Sequence, residues 1–399
     1  MFSVYGTLGR VRNACTHYRI YTPLMGLKIV GAAAPIIEEL QEVRDEQMFG
    51  ANFHLYYLRG SRGLLRQIHA FNRDRQSHDL NRRRHAPHVI YDADDHVERI
   101  SIWNPRYVSL GTHTPDGHKM ERGDRILTQY DNEPEPIELW KDGDRYMGGD
   151  VFDVMANRSK MNILKLTARA CSGVTCSTEY LSEVYRSYGC KNVFTFPNSL
   201  LDEDYPDIHP RRPKNVTILW QGGHAHYEDW LTIIDPLRSA LEKRPNARFL
   251  MWGPLFPAVR RAVPEAQFEH LSWMPYEKYT LRLATLGHHI NLCPIVDDPF
   301  NNAKSSIKWM ESSAITHPAA TLAANVGPYG RDIKHGETGL LYNSEEEFEQ
   351  YLLDLIDDAA LRHRLAYRAH QYVWDNFHVV RTAPKLAEWY RQILFRSMV

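Results

Sequence analysis

Lys304, Lys308 and Glu311 are the residues of this 399-residue chain whose types and spacing most directly suggest chemistry. A helix beginning near Ser305 would stack them on one face, since i, i+4 and i+7 lie above one another. Ile307, Met310 and Ala314 would share the adjacent apolar face and pack on a sheet. Two cations at a helix opening, with a carboxylate one to two turns in, suit a nucleoside diphosphate. Lysines and free backbone N–H groups meet the phosphates, and the carboxylate accepts from a ribose diol. The competing reading is the solvated polar face of an ordinary helix.

Three other groups carry potential chemistry. Asp92, Asp94 and Asp95 follow the strand-like run His88-Val89-Ile90-Tyr91, at the carboxyl end where open α/β sheets place their sites. One of them could orient an acceptor hydroxyl or take its proton. Asp92-Ala93-Asp94 also spells a metal-binding DxD, and Asp95 could simply cap the next helix. Asp297-Asp298, before the lysines, could contact sugar hydroxyls or cap a turn. His224 and His226 form an HxH in a loop that also holds Gly222 and Gly223. No further ligand has suitable spacing for zinc, so a polar loop role is favoured over a metal. Finally, Arg59, Arg62, Arg66, Arg73, Arg75, Arg82, Arg83 and Arg84 fall within 26 positions of a chain whose net charge is −1. Such a run is usually a solvated face, but here it is also a candidate polyanion surface.

The elements that must position these residues are legible as alternating strands and helices. Strands are predicted at His88–Tyr91, Gly173–Ser177, Val193–Phe196, Val216–Trp220, Arg248–Trp252 and Ile290–Pro294. Helices are predicted from Tyr18, over 151–170, from Glu179 with Ser177 as cap, over 228–243, and after the capping box of Ser344 and Glu347. Trp220, Trp252 and Trp273 fit strand or packing positions. Residues 105–150 carry little periodicity and read as a long irregular region. Pro206, Pro210 and Pro213 among charges mark a linker over 202–214. The expected organisation is therefore 1–201, a linker, 215–375, and a terminal helical segment over 376–399. This is an α/β chain with two Rossmann-like domains. Apolar residues make up 43% of the chain, enough for two cores. Five scattered cysteines without a CxxC argue against a disulfide or zinc framework and fit a reducing cytosol. No run is long and apolar enough for a membrane span, and no signal peptide is legible.

Four segments together resemble the group 1, glycogen-synthase-like GT-B glycosyltransferases. They are Ser177–Leu181 with Pro197-Asn198-Ser199; Trp220-Gln221-Gly222-Gly223; Lys304 through Glu311; and Val326–Tyr329 with His335–Leu341. Their order spans roughly residues 170–375. Tyr18-Arg19, Asp92 to Asp95 and Trp103-Asn104-Pro105 look like features of phage and bacterial members. The resemblance implies two domains facing across a cleft. It implies transfer of a sugar, with retention, from a nucleoside-diphosphate sugar, UDP-sugar being favoured. It further implies Arg19, Gly222, Gly223, His224, Lys304, Ser305, Lys308 and Glu311 as donor ligands, with no metal and no cofactor beyond the donor. The arginines (Arg59, Arg62, Arg66, Arg82, Arg83 and Arg84 foremost) would lie on the acceptor side. DNA carrying a hydroxylated base is the concrete acceptor this suggests, in the host cytoplasm if the chain is phage-encoded, with an envelope polysaccharide as the rival. The sequence departs from the family at one place: eight residues before Glu311, where the family has its first glutamate, stands Ala303. A non-catalytic nucleotide-sugar or polyanion-binding protein is the alternative that this departure keeps open.

Overall fold

The computed structural model describes residues 1–8, 13–38, 47–48, 50–57, 60–101, 103–104, 106–112, 126–128, 137–140, 153–211 and 213–398, and for Arg84, Val108, 126–128, 137–140 and 397–398 the backbone only. Two parallel sheets of six strands organise the chain. The first holds β1 (Phe2–Gly6), β2 (Ala33–Ile37), β3 (Phe53–Tyr57), β4 (His88–Ala93), β5 (Gly173–Cys176) and β6 (Val193–Thr195), in the order β2-β1-β3-β4-β5-β6. The second holds β7 (Val216–Gln221), β8 (Ala247–Trp252), β9 (Phe268–Leu271), β10 (Ile290–Cys293), β11 (Ala320–Ala324) and β12 (Leu340–Tyr342), in the order β9-β8-β7-β10-β11-β12. Both are doubly wound orders. Their ligand crevices open where the winding reverses, between β1 and β3 and between β7 and β10. The central strands are buried end to end, β7 and β4 at every residue, as helices on both faces require.

The helices that bear on function are α1 (Thr22–Ile29), α2 (Arg62–Arg75), α3 (Leu80–His85), α4 (Ile307–Ala314), α5 (Ala359–Phe377) and α6 (Val379–Met398). The last of these returns to the first sheet. Val379, Ala383, Leu386, Tyr390 and Ile393 join Phe2, Val4, Leu24, Leu27 and Phe53 in one apolar cluster. Tyr390 stacks on Phe2 at 5.5 Å and meets Phe53 edge-on at 4.5 Å. The second sheet has its own core, built around Trp220, Trp230, Phe249, Leu292 and Trp309. The chain passes between the two sheets twice, near Leu200 and near His378. The crossings lie side by side, with Leu200 N–H donating to Phe377 O (2.8 Å) and Val379 N–H to Leu200 O (2.9 Å).

Several local expectations are corrected. The expected strand ends extend to Ala93 and Gln221. Thr178, not Ser177, caps the helix Glu179–Ser187, its hydroxyl accepting from Leu181 N–H at 3.2 Å. The helix expected over 228–243 divides into Tyr227–Leu231 and Ile234–Lys243. Trp273 is 67% exposed, whereas Trp220 and Trp252 are buried on their strands. The chain between 105 and 150 falls largely outside the described residues. Within it, Ile126–Thr128 and Ile137–Trp140 pair antiparallel.

Candidate active site

The loops after β7 and β10, which flank the second reversal of winding, carry the donor candidates. Helix α4 starts at Ile307, two residues later than expected, because Ser306 occupies its N-cap position and sends its hydroxyl to Asp332 (2.6 Å). No side chain caps its first N–H groups. Lys304 and Ser305 therefore precede the helix, and Lys304 does not share a helical face with Lys308. The Lys304 ammonium lies over the Phe300 ring at 4.5 Å. Glu311 keeps its place one turn beyond Ile307.

Lys308 is 8% exposed and its ammonium has no hydrogen-bond partner among the described residues, lying over the Trp220 ring at 5.1 Å. Burial pushes its pKa down to about 8, against the pull of Cys293 and Asp229. Gly222 is what admits it: a Cβ there would stand 3.0 Å from the Lys308 Nζ and 2.7 Å from the Trp220 ring. Gly253, at the end of β8, has φ +129° and packs so closely that a Cβ would meet Gly222 O at 2.1 Å. Beside them the Gln221 amide is buried with neither its oxygen nor its nitrogen paired. Gly223 meets nothing within 4 Å of an added Cβ, and His224 follows it in the turn His224–His226.

Glu311 is buried and accepts two phenol hydroxyls, Tyr18 at 2.8 Å and Tyr279 at 2.7 Å. Burial raises its pKa to about 7, against those two hydrogen bonds. Tyr18 comes from the first domain, on a π-helical turn, His17–Tyr21, in which every residue is buried. Such turns are uncommon and cluster at functional sites. Further bonds cross the same seam. Asn198 Nδ2 donates to Ser305 Oγ (2.8 Å), Thr178 Oγ1 to Ala303 O (2.9 Å) and Ser101 Oγ to Glu228 (2.6 Å).

The Ala303 contact belongs to a buried apolar part of the seam. Ala303 is fully buried among Tyr91, Ala93, Val174, Cys176 and Leu181, all from the first domain. A carboxylate in that apolar nest would be stranded without a partner.

Arg19 and Asp92 are brought together rather than to the crevice. The guanidinium grips the carboxylate with two bonds (2.8 and 2.9 Å) and gives others to Phe196 O (2.7 Å) and Asn198 Oδ1 (3.0 Å). Thr175 Oγ1 adds a 2.5 Å bond to Asp92. Both side chains are buried, so this pair has the geometry of a structural brace. Asp94 is only half-buried and accepts from Tyr57 Oη at 2.6 Å. Burial and the neighbouring Asp95 carboxylate lift its pKa to about 7. Burial raises Asp95 too, opposed by Lys304 and Arg106. Asp95 does not cap the turn Val97–Arg99, whose N-cap is His96. Asp298 does cap, accepting from Phe300 N–H (2.7 Å) and Asn301 N–H (3.0 Å), while Asp297 accepts from Asn302 Nδ2 (2.8 Å).

On the first domain's outer face, Arg62, Arg66, His69 and Arg73 are exposed at i, i+4, i+7 and i+11 along α2, and Arg82 and Arg83 are exposed on α3. Arg75 is turned inward onto Pro87 O and Asn72, leaving the cluster. Arg59 and the side chain of Arg84 lie outside the described residues. Tyr279 and Asp229 were missed from the sequence, and Tyr18 and Gln221 were quoted only as parts of resembling segments, with no role assigned. A tyrosine or glutamine carries no local signal of what it faces. Among the described residues no group of three or more His, Cys, Asp or Glu is placed to hold a metal ion, and no helix is long and apolar enough to cross a membrane.

No protein-family model matches the sequence, and no curated protein is similar to it in sequence. Solved structures are similar in fold. Sucrose-phosphate synthase from Thermosynechococcus elongatus superposes with a TM-score of 0.59 at 11% identity, over 99% of this chain and 100% of that one. Anabaena HepE in complex with UDP-glucose gives 0.57 at 10%, over 98% and 100%. The pneumococcal O-GlcNAc transferase GtfA, with UDP and GlcNAc, gives 0.52 at 11%, over 86% of this chain and 57% of that one. Two doubly wound domains meeting across a seam at their strand ends, superposing along nearly the whole chain on such enzymes, give this protein the GT-B glycosyltransferase fold.

Proposed function

We propose that the chain is a glycosyltransferase that moves a sugar from a UDP-sugar to a hydroxyl acceptor with retention of configuration. The observation that carries this is Lys308: a buried ammonium without a partner, at the N-terminal turn of α4 and against the Gly222 loop. An unpaired buried cation is costly, and a diphosphate is the ligand that would repay it. The uncapped start of α4, Lys304 and Ser305 lie on the same approach. Glu311, one turn along, stands where a ribose diol would exchange for tyrosine hydroxyls. The similar folds of HepE and GtfA hold UDP or UDP-glucose, which supports the choice of uridine.

In this reading the acceptor hydroxyl oxygen bonds to the anomeric carbon and gives up its proton as the bond between that carbon and the phosphate oxygen breaks, the electron pair leaving with the diphosphate. Lys308, Lys304 and the α4 N–H groups stabilise that charge as it develops. Asp94, lifted toward neutrality and hydrogen-bonded to Tyr57, is placed to orient the acceptor hydroxyl or receive its proton. Arg19 and Asp92 act by positioning, fixing the turn that presents Tyr18. No step calls for a metal.

The acceptor we favour is DNA bearing a hydroxylated base, supported by the exposed arginine stripe of α2 and α3. The test of the donor reading is calorimetric titration with UDP and UDP-glucose, with chelator present, on the wild type and on Glu311→Ala. Binding that the substitution abolishes supports the reading. Absence of binding by the wild type sinks it, and the arginine stripe then becomes the better guide, to a polyanion-binding protein.

A further inference from the structure

The reversal of winding in the second sheet is bridged by one side chain, Asp229. It is 1% exposed, and its Oδ1 accepts from Val296 N–H (2.9 Å) and from Asn301 Nδ2 (3.3 Å), both on the chain that follows β10. Its Oδ2 meets Nδ1 of His226, on the turn that follows β7, at 2.6 Å. The carboxylate thereby fixes the imidazole with Nδ1 as donor and Nε2 facing away, with no partner among the described residues. The ring stands edge-on to Trp220 at 6.3 Å, the same indole that carries the Lys308 ammonium on its face.

We propose that His226 is a direct ligand of the donor diphosphate and loads a proton when the diphosphate binds. The inference rests on the UDP-sugar reading above. The charges that face the ring are Lys304 before α4, Lys308 on α4 and Asp229 on the short helix that follows it, with Asp229 acting in turn on Glu228 and Asp298. Burial and the two ammonium groups outweigh Asp229 and push the imidazole down to about 3. The ring is therefore neutral, and its free nitrogen is an acceptor. A diphosphate ester brings two negative charges against Lys304 and Lys308 and removes the repulsion. Asp229, held below its ordinary value chiefly by His226 against the cost of burial, remains the counter-ion. Nε2 then takes a proton from solvent and donates to a phosphate oxygen, adding a third cationic donor as the leaving group gains charge. A permanent third cation would add to the repulsion between Lys304 and Lys308. An imidazole carries the charge only when the ligand is there.

Calorimetric titration of UDP-glucose at pH 6.5, in two buffers of different ionisation enthalpy, measures proton uptake directly. UDP-glucose has no phosphate proton of its own in that range, and Lys308 is already protonated there. The wild type is expected to take up about one proton more per donor than His226→Asn, so that across the window its affinity falls about tenfold more per pH unit than the variant's. Glu311 and Asp94 titrate in both proteins and cancel in the difference. His226→Gln, which presents an amide N–H where Nε2–H would be, should bind UDP-glucose without the extra proton. Equal uptake in the wild type and both variants overturns the proposal while leaving the donor reading intact. Failure of UDP-glucose to bind the wild type overturns both.

Discussion

The Tyr18 hydroxyl of the first domain donates to the Glu311 carboxylate of the second at 2.8 Å, and this bond joins the two halves where the nucleotide reading requires an opening. A hydrogen bond to a buried charged group is worth about 1.5–3 kcal/mol. Tyr18→Phe should therefore lower unfolding free energy by about 2 kcal/mol in denaturant titrations, while UDP affinity holds or improves because Glu311 is freed. Loss of UDP binding in this variant would mean that Tyr18 itself touches the nucleotide.

Glu311 sets stability against function. Its ordinary value is 4.5 and burial holds it near 7. Between those values the folded protein keeps a proton that the unfolded chain has released. Stability from this group is thus full below about pH 4.5 and is lost as pH rises to about 7, a difference on the order of 3 kcal/mol. Glu311→Gln should be the more stable protein at pH 7.5 and should bind UDP at least tenfold more weakly. A variant less stable than wild type at that pH would show that the carboxylate is not strained.

Lys308 follows the opposite sign. Its pKa falls from 10.5 to about 8, so its destabilising contribution is full below pH 8 and fades as pH rises to 10.5. Lys308→Met, similar in length and apolar, should raise the melting temperature at pH 7 and abolish UDP binding. A lower melting temperature would indicate a partner for the ammonium within the protein.

Arg19 and Asp92 should behave as a brace. Removing one partner of a buried pair leaves an uncompensated charge and costs about 3–5 kcal/mol. Arg19→Met and Asp92→Asn should each fall well short of wild-type stability, and the double variant should recover part of the loss. If Asp92→Asn folds with full stability yet loses turnover, Asp92 belongs to the chemistry after all.

Arg62, Arg66 and Arg73 give the acceptor reading its sharpest test. Each phosphate contact contributes about −0.9 to the slope of log affinity against log salt. Changing all three to alanine should flatten the slope for duplex DNA by about 2.7 without altering UDP binding. A wild-type affinity for DNA that ignores salt would discard this surface and turn attention to neutral glycan acceptors.

Periodicity and punctuation determined most of the architecture. The runs Val216–Gln221 and Ile290–Cys293 are apolar enough to read as buried strands, and of the two glycines after the first, Gly222 marks a tight approach while Gly223 does not. Lys308 and Glu311 were legible as neighbours on one helix, whereas Lys304, expected on the same face, precedes that helix. What sequence could not decide was pairing at a distance. Arg19 looked like a phosphate ligand and Asp92 like a base, yet they satisfy each other, because β1's loop and the end of β4 happen to converge. Ala303 looked like a missing catalytic group, and its burial against Ala93 and Cys176 depends on a second domain 120 or more residues away in sequence. The bonds of Tyr18 and Tyr279 to Glu311, and of Asp229 to Val296 and Asn301, emerge only when the chain is assembled. Hydrogen bonds between side chains are specified by where the backbone delivers them, and local spacing carries no record of that.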